Sequence, residues 1–119
     1  MSFVERRGYE RIEYPPEDRP IFQFDDHGFV VLDCSERGLR FHSDGPAPDV
    51  GTELRGIVRF APGTEVEIEG AVLRVQGSSV AVLFTTKWIP RDVIVSERWR
   101  VQRFAKQTPS GSQERGLGA

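Results

Sequence analysis

Cysteine is almost absent from this 119-residue chain, and lysine and histidine are scarcely more common. Cys34 is its only thiol, Lys87 and Lys106 its only lysines, and His27 and His42 its only histidines. One cysteine excludes an intrachain disulfide, and two histidines that share no ligand spacing with it give no zinc or redox motif. Cys34 therefore reads as a small strand residue. No apolar run approaches the roughly 20 residues that span a bilayer. The start, Met1 to Arg7, has no apolar core of the kind a signal peptide needs. A cytoplasmic protein without a transmembrane segment is the expectation. The formal charge of −2 and a pI near 5.7 argue against a protein that coats long nucleic acids by releasing counterions.

What the chain does contain is arginine, fourteen against two lysines. Guanidinium is planar and forked, so this balance favours bidentate recognition over diffuse attraction, although high genomic GC content would give the same bias. The length fits one domain. Ile12-Glu13-Tyr14 can open a strand, which Pro15-Pro16 must break or force to an edge; pairing should resume near Pro20. Residues 21–24 and 28–32 flank Asp25-Asp26-His27-Gly28, a hairpin turn signal. Further strands are expected over 39–42, 51–60, 64–76 and 79–85. Leu54, Gly56, Val58 and Phe60 share one face of the 51–60 strand, with Arg55, Ile57 and Arg59 on the other. In 64–76 the alternation runs through Val66 and Ile68, then Ala71, Leu73 and Val75, and this change of phase at Glu69-Gly70 predicts a bulge.

The fold class that follows is mainly β: a small six-stranded antiparallel β-barrel with a C-terminal α-helix, closure also removing exposed edges. Pro90 and Asp92 open the helix, which should run to about Lys106 with Val93, Ile94, Val101, Phe104 and Ala105 against the barrel. Val95 and Trp99 fall one turn apart on another side, where they pack on a loop or form a partner or dimer surface. We divide the chain into an arginine-bearing mobile arm over 1–11, barrel and helix over 12–107, and a Gly/Ser-rich disordered tail over 108–119.

Two short segments carry the chemistry. Arg6, Arg7 and Arg11 sit in the leading arm, and Asp33, Ser35 and Gly38 follow the second strand in the pattern D-x-S-x-x-G. The R-x-x-x-R spacing of Arg7 and Arg11 proves little alone, since Arg55 and Arg59 repeat it. D-x-S-x-x-G is sharper, arising by chance in only about a few per cent of chains this long. Arginine forks suit phosphates and the O6/N7 edge of guanine, whereas a carboxylate beside a hydroxyl suits its N1–H and N2–H donors.

In this order and context the pair resembles the signature of the PilZ domain family. The resemblance implies binding of cyclic di-GMP, a bacterial second messenger, with Arg6, Arg7 and Arg11 closing over a ligand held by Asp33 and Ser35. Gly38 would permit the tight turn behind them. Arg74 is a further candidate for stacking on a base, its alternative being an outward strand arginine. No metal, cofactor or catalytic role is implied. The output would be altered binding to an unidentified partner protein in motility, exopolysaccharide or biofilm machinery, with the receptor a monomer or homodimer. One rival reading is a PilZ-like interaction module that does not bind nucleotide, the Tyr14-Pro15-Pro16 interruption misplacing the arginine arm. A small hydrolase using Asp33, Ser35 and a histidine lacks the G-x-S-x-G elbow. A barrel for single-stranded nucleic acid lacks regularly exposed strand aromatics.

Overall fold

The computed structural model describes residues 11–61 and 63–102. Its strands are β1 (Ile12–Glu13), β2 (Ile21–Phe24), β3 (His27–Cys34), β4 (Gly38–His42), β5 (Glu53–Phe60), β6 (Thr64–Gln76) and β7 (Ser79–Lys87). Residues 91–102 then form a helix, α1. All strand pairings are antiparallel and follow the order β3-β2-β5-β6-β7-β4, with β4 pairing back to β3. That last pairing closes a six-stranded barrel. The two-residue β1 is added beside β3, Ile12 opposite Cys34 and Glu13 opposite Asp33.

Proline chemistry explains why β1 and β2 are separate. Tyr14 donates to the carbonyl of Leu32, then Pro15-Pro16 leads into a single 3-10 turn over Pro16–Asp18. Pairing to β3 resumes when Val31 donates to Pro20. The two prolines supply no amide donors for a ladder, so the chain leaves the sheet there and returns where donors resume. The interruption lies beyond β1 and does not displace Arg11. The β2–β3 turn has Asp25 and Asp26 both at positive φ, 54° and 64°. Two left-handed residues match a tight hairpin to the sheet's twist, and Asp tolerates that conformation better than most residues.

The core contains Phe22, Val31, Leu39, Phe41, Leu54, Val58, Phe60, Ile68, Val72, Val80, Val82 and Phe84, closed at one side by Ile89 and Ile94. On β5 the faces are as expected, with Leu54, Val58 and Phe60 buried and Arg55 and Arg59 exposed. On β6 they are not. The register does shift at Glu69/Gly70, but the extra residues, Thr85 and Thr86, lie on β7. Ile68, Gly70 and Val72 therefore keep one inward phase, and Leu73 is 54% exposed rather than buried. A second shift between Val72 and Arg74 places an extra residue on β6 itself. Two residues opposing one bend the strand and redirect its side chains.

Val93, Ile94 and Val101 face the barrel as the helical periodicity requires, while Phe104, Ala105 and the tail from 108 lie outside the described residues. Glu97 shares the buried face, a carboxylate within an otherwise apolar stripe. No helix among the described residues is long and apolar enough to cross a membrane.

Candidate functional site

At the end of the barrel where β3 turns into β4, a cleft of about 300 Å³ is lined by Arg11, Asp33, Ser35, Gly38, Arg40 and Arg74, with Leu73 and Leu83 beside them. The fold thus brings together every sequence-expected site residue that is described. Arg6 and Arg7 lie outside the described residues. Asp33 is 1% exposed, yet its carboxylate borders this solvent-open cleft. Its Oδ1 accepts from Arg11 Nη1 at 2.7 Å, and its Oδ2 accepts from Arg40 Nε at 2.7 Å with Arg40 Nη2 at 2.6 Å. Each oxygen is taken by a different arginine. Burial of a carboxylate requires such charge-assisted partners.

Arg40 does not stand out in the sequence, where it is one polar residue of an alternating strand. The β3–β4 register puts it directly opposite Asp33. The signal is present in principle, because the D-x-S-x-x-G hairpin turns the chain so that the residue two beyond the glycine faces the aspartate. The bond to Asp33 is the main reason the Arg40 guanidinium is held above its ordinary pKa. Its two bonds fall on one oxygen, leaving the other to Arg11, whose side chain is 53% exposed.

Ser35 and Gly38 build the turn between these strands. Ser35 N–H donates to the Gly38 carbonyl at 2.8 Å, and the Ser35 Oγ accepts from Arg37 N–H at 3.2 Å. Gly38 is required for a different reason from the one expected. It is not in the left-handed region; instead, a Cβ there would run into the carbonyl oxygen of Val82 on β7. The glycine lets β4 and β7 approach at the cleft floor. Arg74 follows the second β6 shift and lines the cleft, exposed.

A second polar cluster lies behind the first. Tyr14 donates to Glu97 Oε1 at 2.7 Å and sits 3.6 Å from Cys34 Sγ. Arg100 grips Glu97 through Nε and Nη2 at 2.9 and 2.7 Å, and reaches Asp18 Oδ1 through Nη1 at 2.5 Å. Burial, then the neighbouring Cys34 and Glu97, holds the Tyr14 phenol far above its ordinary pKa, and burial pushes the Cys34 thiol up to about 12. A thiol in that state is a packing group, not a nucleophile. The cluster ties β1, the 3-10 turn and α1 together, one residue from Asp33.

The histidines stand elsewhere. His27 begins β3, six residues from Asp33, and its Nδ1 lies 2.9 Å from the Asp25 carbonyl oxygen. His42 Nε2 is 2.6 Å from Asp44 Oδ1. Neither reaches Ser35, so the residues proposed for a hydrolase are not assembled. Val95 and Trp99 are 46% and 63% exposed, and Trp88, which no sequence pattern singles out, is 57% exposed.

A small antiparallel barrel with a D-x-S-x-x-G hairpin and an arginine clasped to its aspartate defines the class. The PilZ domain model matches residues 5–94, and the chain belongs to that family. Three solved structures share the fold. An uncharacterized Legionella protein, Lpg0364, is 13% identical, with a TM-score of 0.52 over 85% of this chain and 99% of its own. The Bacillus subtilis inhibitor of motility, MotI/DgrA, is 16% identical, with a TM-score of 0.56 over 89% of this chain and 52% of its own. YcgR from Escherichia coli, solved in complex with c-di-GMP, is 17% identical, with a TM-score of 0.53 over 95% of this chain and 50% of its own. The chain thus spans about half the length of the latter two proteins. No curated protein matches it at a significant level.

Proposed function

We propose that this chain is a cyclic di-GMP receptor that acts as an adaptor on a partner protein. The observation that carries this reading is the Arg11–Asp33–Arg40 arrangement at the mouth of a cleft also lined by Ser35 and Arg74. Such a cleft offers guanidinium forks for phosphate or for guanine O6/N7, a carboxylate for N1–H and N2–H, a hydroxyl, and the aliphatic walls of Leu73 and Leu83 for a purine face. Membership of a family that includes a c-di-GMP-bound neighbour supports the same ligand.

In this reading the ligand exchanges partners with the protein. Arg11, exposed and on one oxygen only, leaves Asp33 for the nucleotide, with Arg6 and Arg7 joining it. The guanine edge takes the vacated Oδ1 while Arg40 keeps Oδ2, so the carboxylate is never left buried and unpaired. Moving Arg11 pulls on β1 and Tyr14, whose phenol is bonded to α1 through Glu97. The helix carrying Val95 and Trp99 is then the element through which a partner senses the ligand. Control of motility, exopolysaccharide synthesis or biofilm formation are the outputs we propose, the first supported by the likeness to a motility inhibitor.

Isothermal titration with cyclic di-GMP tests the reading. Arg11→Ala and Asp33→Ala should each weaken binding about tenfold or more, since a good bidentate contact is worth about 1–3 kcal/mol. Absence of both heat and any amide shift at Gly38 in the native protein would overturn it. The exposed Val95 and Trp99 would then favour an interaction module that does not use a nucleotide.

A further inference from the structure

The β2–β3 turn and the 43–52 loop frame a second cavity, about 810 Å³, at the other mouth of the barrel. Because β3 runs from His27 at this mouth to Asp33 at the first cleft, the two lie on the order of 20 Å apart. Nucleotide binding at the first cleft does not involve it.

The floor is aromatic. Phe24, Phe29 and Phe41 stand with ring centroids 5.1, 5.1 and 5.8 Å apart, and His27 lies nearly parallel to Phe29 at 6.2 Å. Phe41 is fully buried, but Phe24 and Phe29 are only half-buried and line the cavity together with Ala47, Pro48 and Leu54. The rim is charged and unbalanced. Arg55, its one arginine, lies 3.4 Å from Glu69, and Asp44 nearby is hydrogen-bonded to His42. Asp25 and Glu53 on the rim, with Asp26 and Asp49 beside it, make no ion pair with any described residue. Asp25 and Asp26 stand at the two positive-φ positions of the turn. Half-covered ring faces attract cations, and an excess of carboxylate repels anions. Apart from the charged rim, Ser43, Thr52 and the His27 ring are the polar side chains present, too few to orient a polar small molecule.

We propose that this cavity docks a basic segment of a partner protein. One apolar side chain seats on Phe24, Phe29 and Phe41, and flanking Lys or Arg residues meet Asp25 and Glu53. An apolar anchor with complementary charges around it is a recurrent form of peptide recognition, the anchor giving affinity and the charges giving orientation. This inference does not depend on the nucleotide reading, because no residue of the first cleft takes part.

The probes are two synthetic peptides, acetyl-Ala-Arg-Leu-Phe-Lys-Ala-amide and its acidic counterpart acetyl-Ala-Glu-Leu-Phe-Glu-Ala-amide, titrated into the full chain and followed by amide chemical shifts. The basic peptide should shift Phe24, Gly28, Phe29 and Thr52, and the acidic one should not. Asp25→Asn combined with Glu53→Gln keeps a turn-compatible residue and should weaken the basic peptide about three- to tenfold, as should raising the salt from about 0.15 to about 0.5 M. Phe29→Leu keeps the core filled and should weaken it through loss of the ring. Equal shifts with both peptides, shifts from neither, or an unchanged affinity in the charge-neutralised variant would overturn the proposal.

Discussion

Asp33 and Glu97 are two buried carboxylates, at 1% and 4% exposure, and the protein treats them in opposite ways. Glu97 is sealed. Its oxygens accept from Tyr14 and from Nε and Nη2 of Arg100, whose own side chain is 21% exposed and bridges through Nη1 on to Asp18. Asp33 is held by two arginines that both reach solvent, with exposures of 53% and 39%, and it faces a cleft. A closed network has nothing to gain from rearranging, whereas an open one can exchange a guanidinium for an incoming donor with little loss. Glu97 holds the fold together, whereas Asp33 is the carboxylate for which the proposed nucleotide would compete. The two are linked, because Cys34, next to Asp33, touches the Tyr14 hydroxyl that bonds Glu97.

Removing the cation from the sealed side should have the largest effect. Arg100→Met leaves Glu97 and Asp18 without their cation, and urea unfolding should show a loss of about 3 kcal/mol, since breaking a buried pair strands a charge. A loss below about 1 kcal/mol would place Glu97 on the same footing as Asp33. Gly38→Ala attacks the open side through its floor. The added methyl meets the Val82 carbonyl, so β4 must move off β7, which should cost about 2 kcal/mol and displace Arg40 from Asp33. Native stability in the Gly38→Ala variant would show that the close approach of these strands is not needed.

The third effect is one of pH, small near pH 9 and growing above it. Cys34 and Tyr14 keep their protons when folded at pH values where an unfolded chain has lost them. The native state therefore binds more protons, and stability falls as pH rises from about 9 toward 12, by at most about 1.4 kcal/mol per pH unit for each group. Cys34→Ala should flatten the first part of this decline, and Tyr14→Phe the later part. A denaturation midpoint that is flat from about pH 8 to about pH 11 would contradict the burial of both groups.

Much of the open site was legible along the chain. D-x-S-x-x-G is a local pattern of three residues at fixed offsets, although its glycine answers to the approach of β7 and not to the turn, and the arginine that meets it, Arg11, stands just before the strand that pairs with β3. The proline interruption and the Asp-Asp turn were legible for the same reason: donors and backbone angles are properties of single residues. Arg40 was less so, since naming it requires the β3–β4 register. The inward face of β6 differs from its sequence pattern because the bulge that sets its phase is distributed between two strands. Leu73, apolar in sequence and exposed in space, marks that difference and walls the cleft as a result.

Closure of the barrel, the burial of Glu97 and the aromatic mouth belong to tertiary structure. Glu97 shares the spacing of Val93, Ile94 and Val101, but a buried carboxylate there acquires its partner only when α1 is laid over Tyr14, 83 positions away in the chain. Phe24, Phe29 and Phe41 read as ordinary core positions, and only the path of the 43–52 loop leaves two of their rings half-covered beside an acidic rim. Period, turn chemistry and short motifs are written residue by residue, so the chain alone determined the strands, their hairpins and the arginine–aspartate corner. Which charges are buried, and which surfaces stay open, depends on distant segments meeting, and that was decided only when the barrel closed.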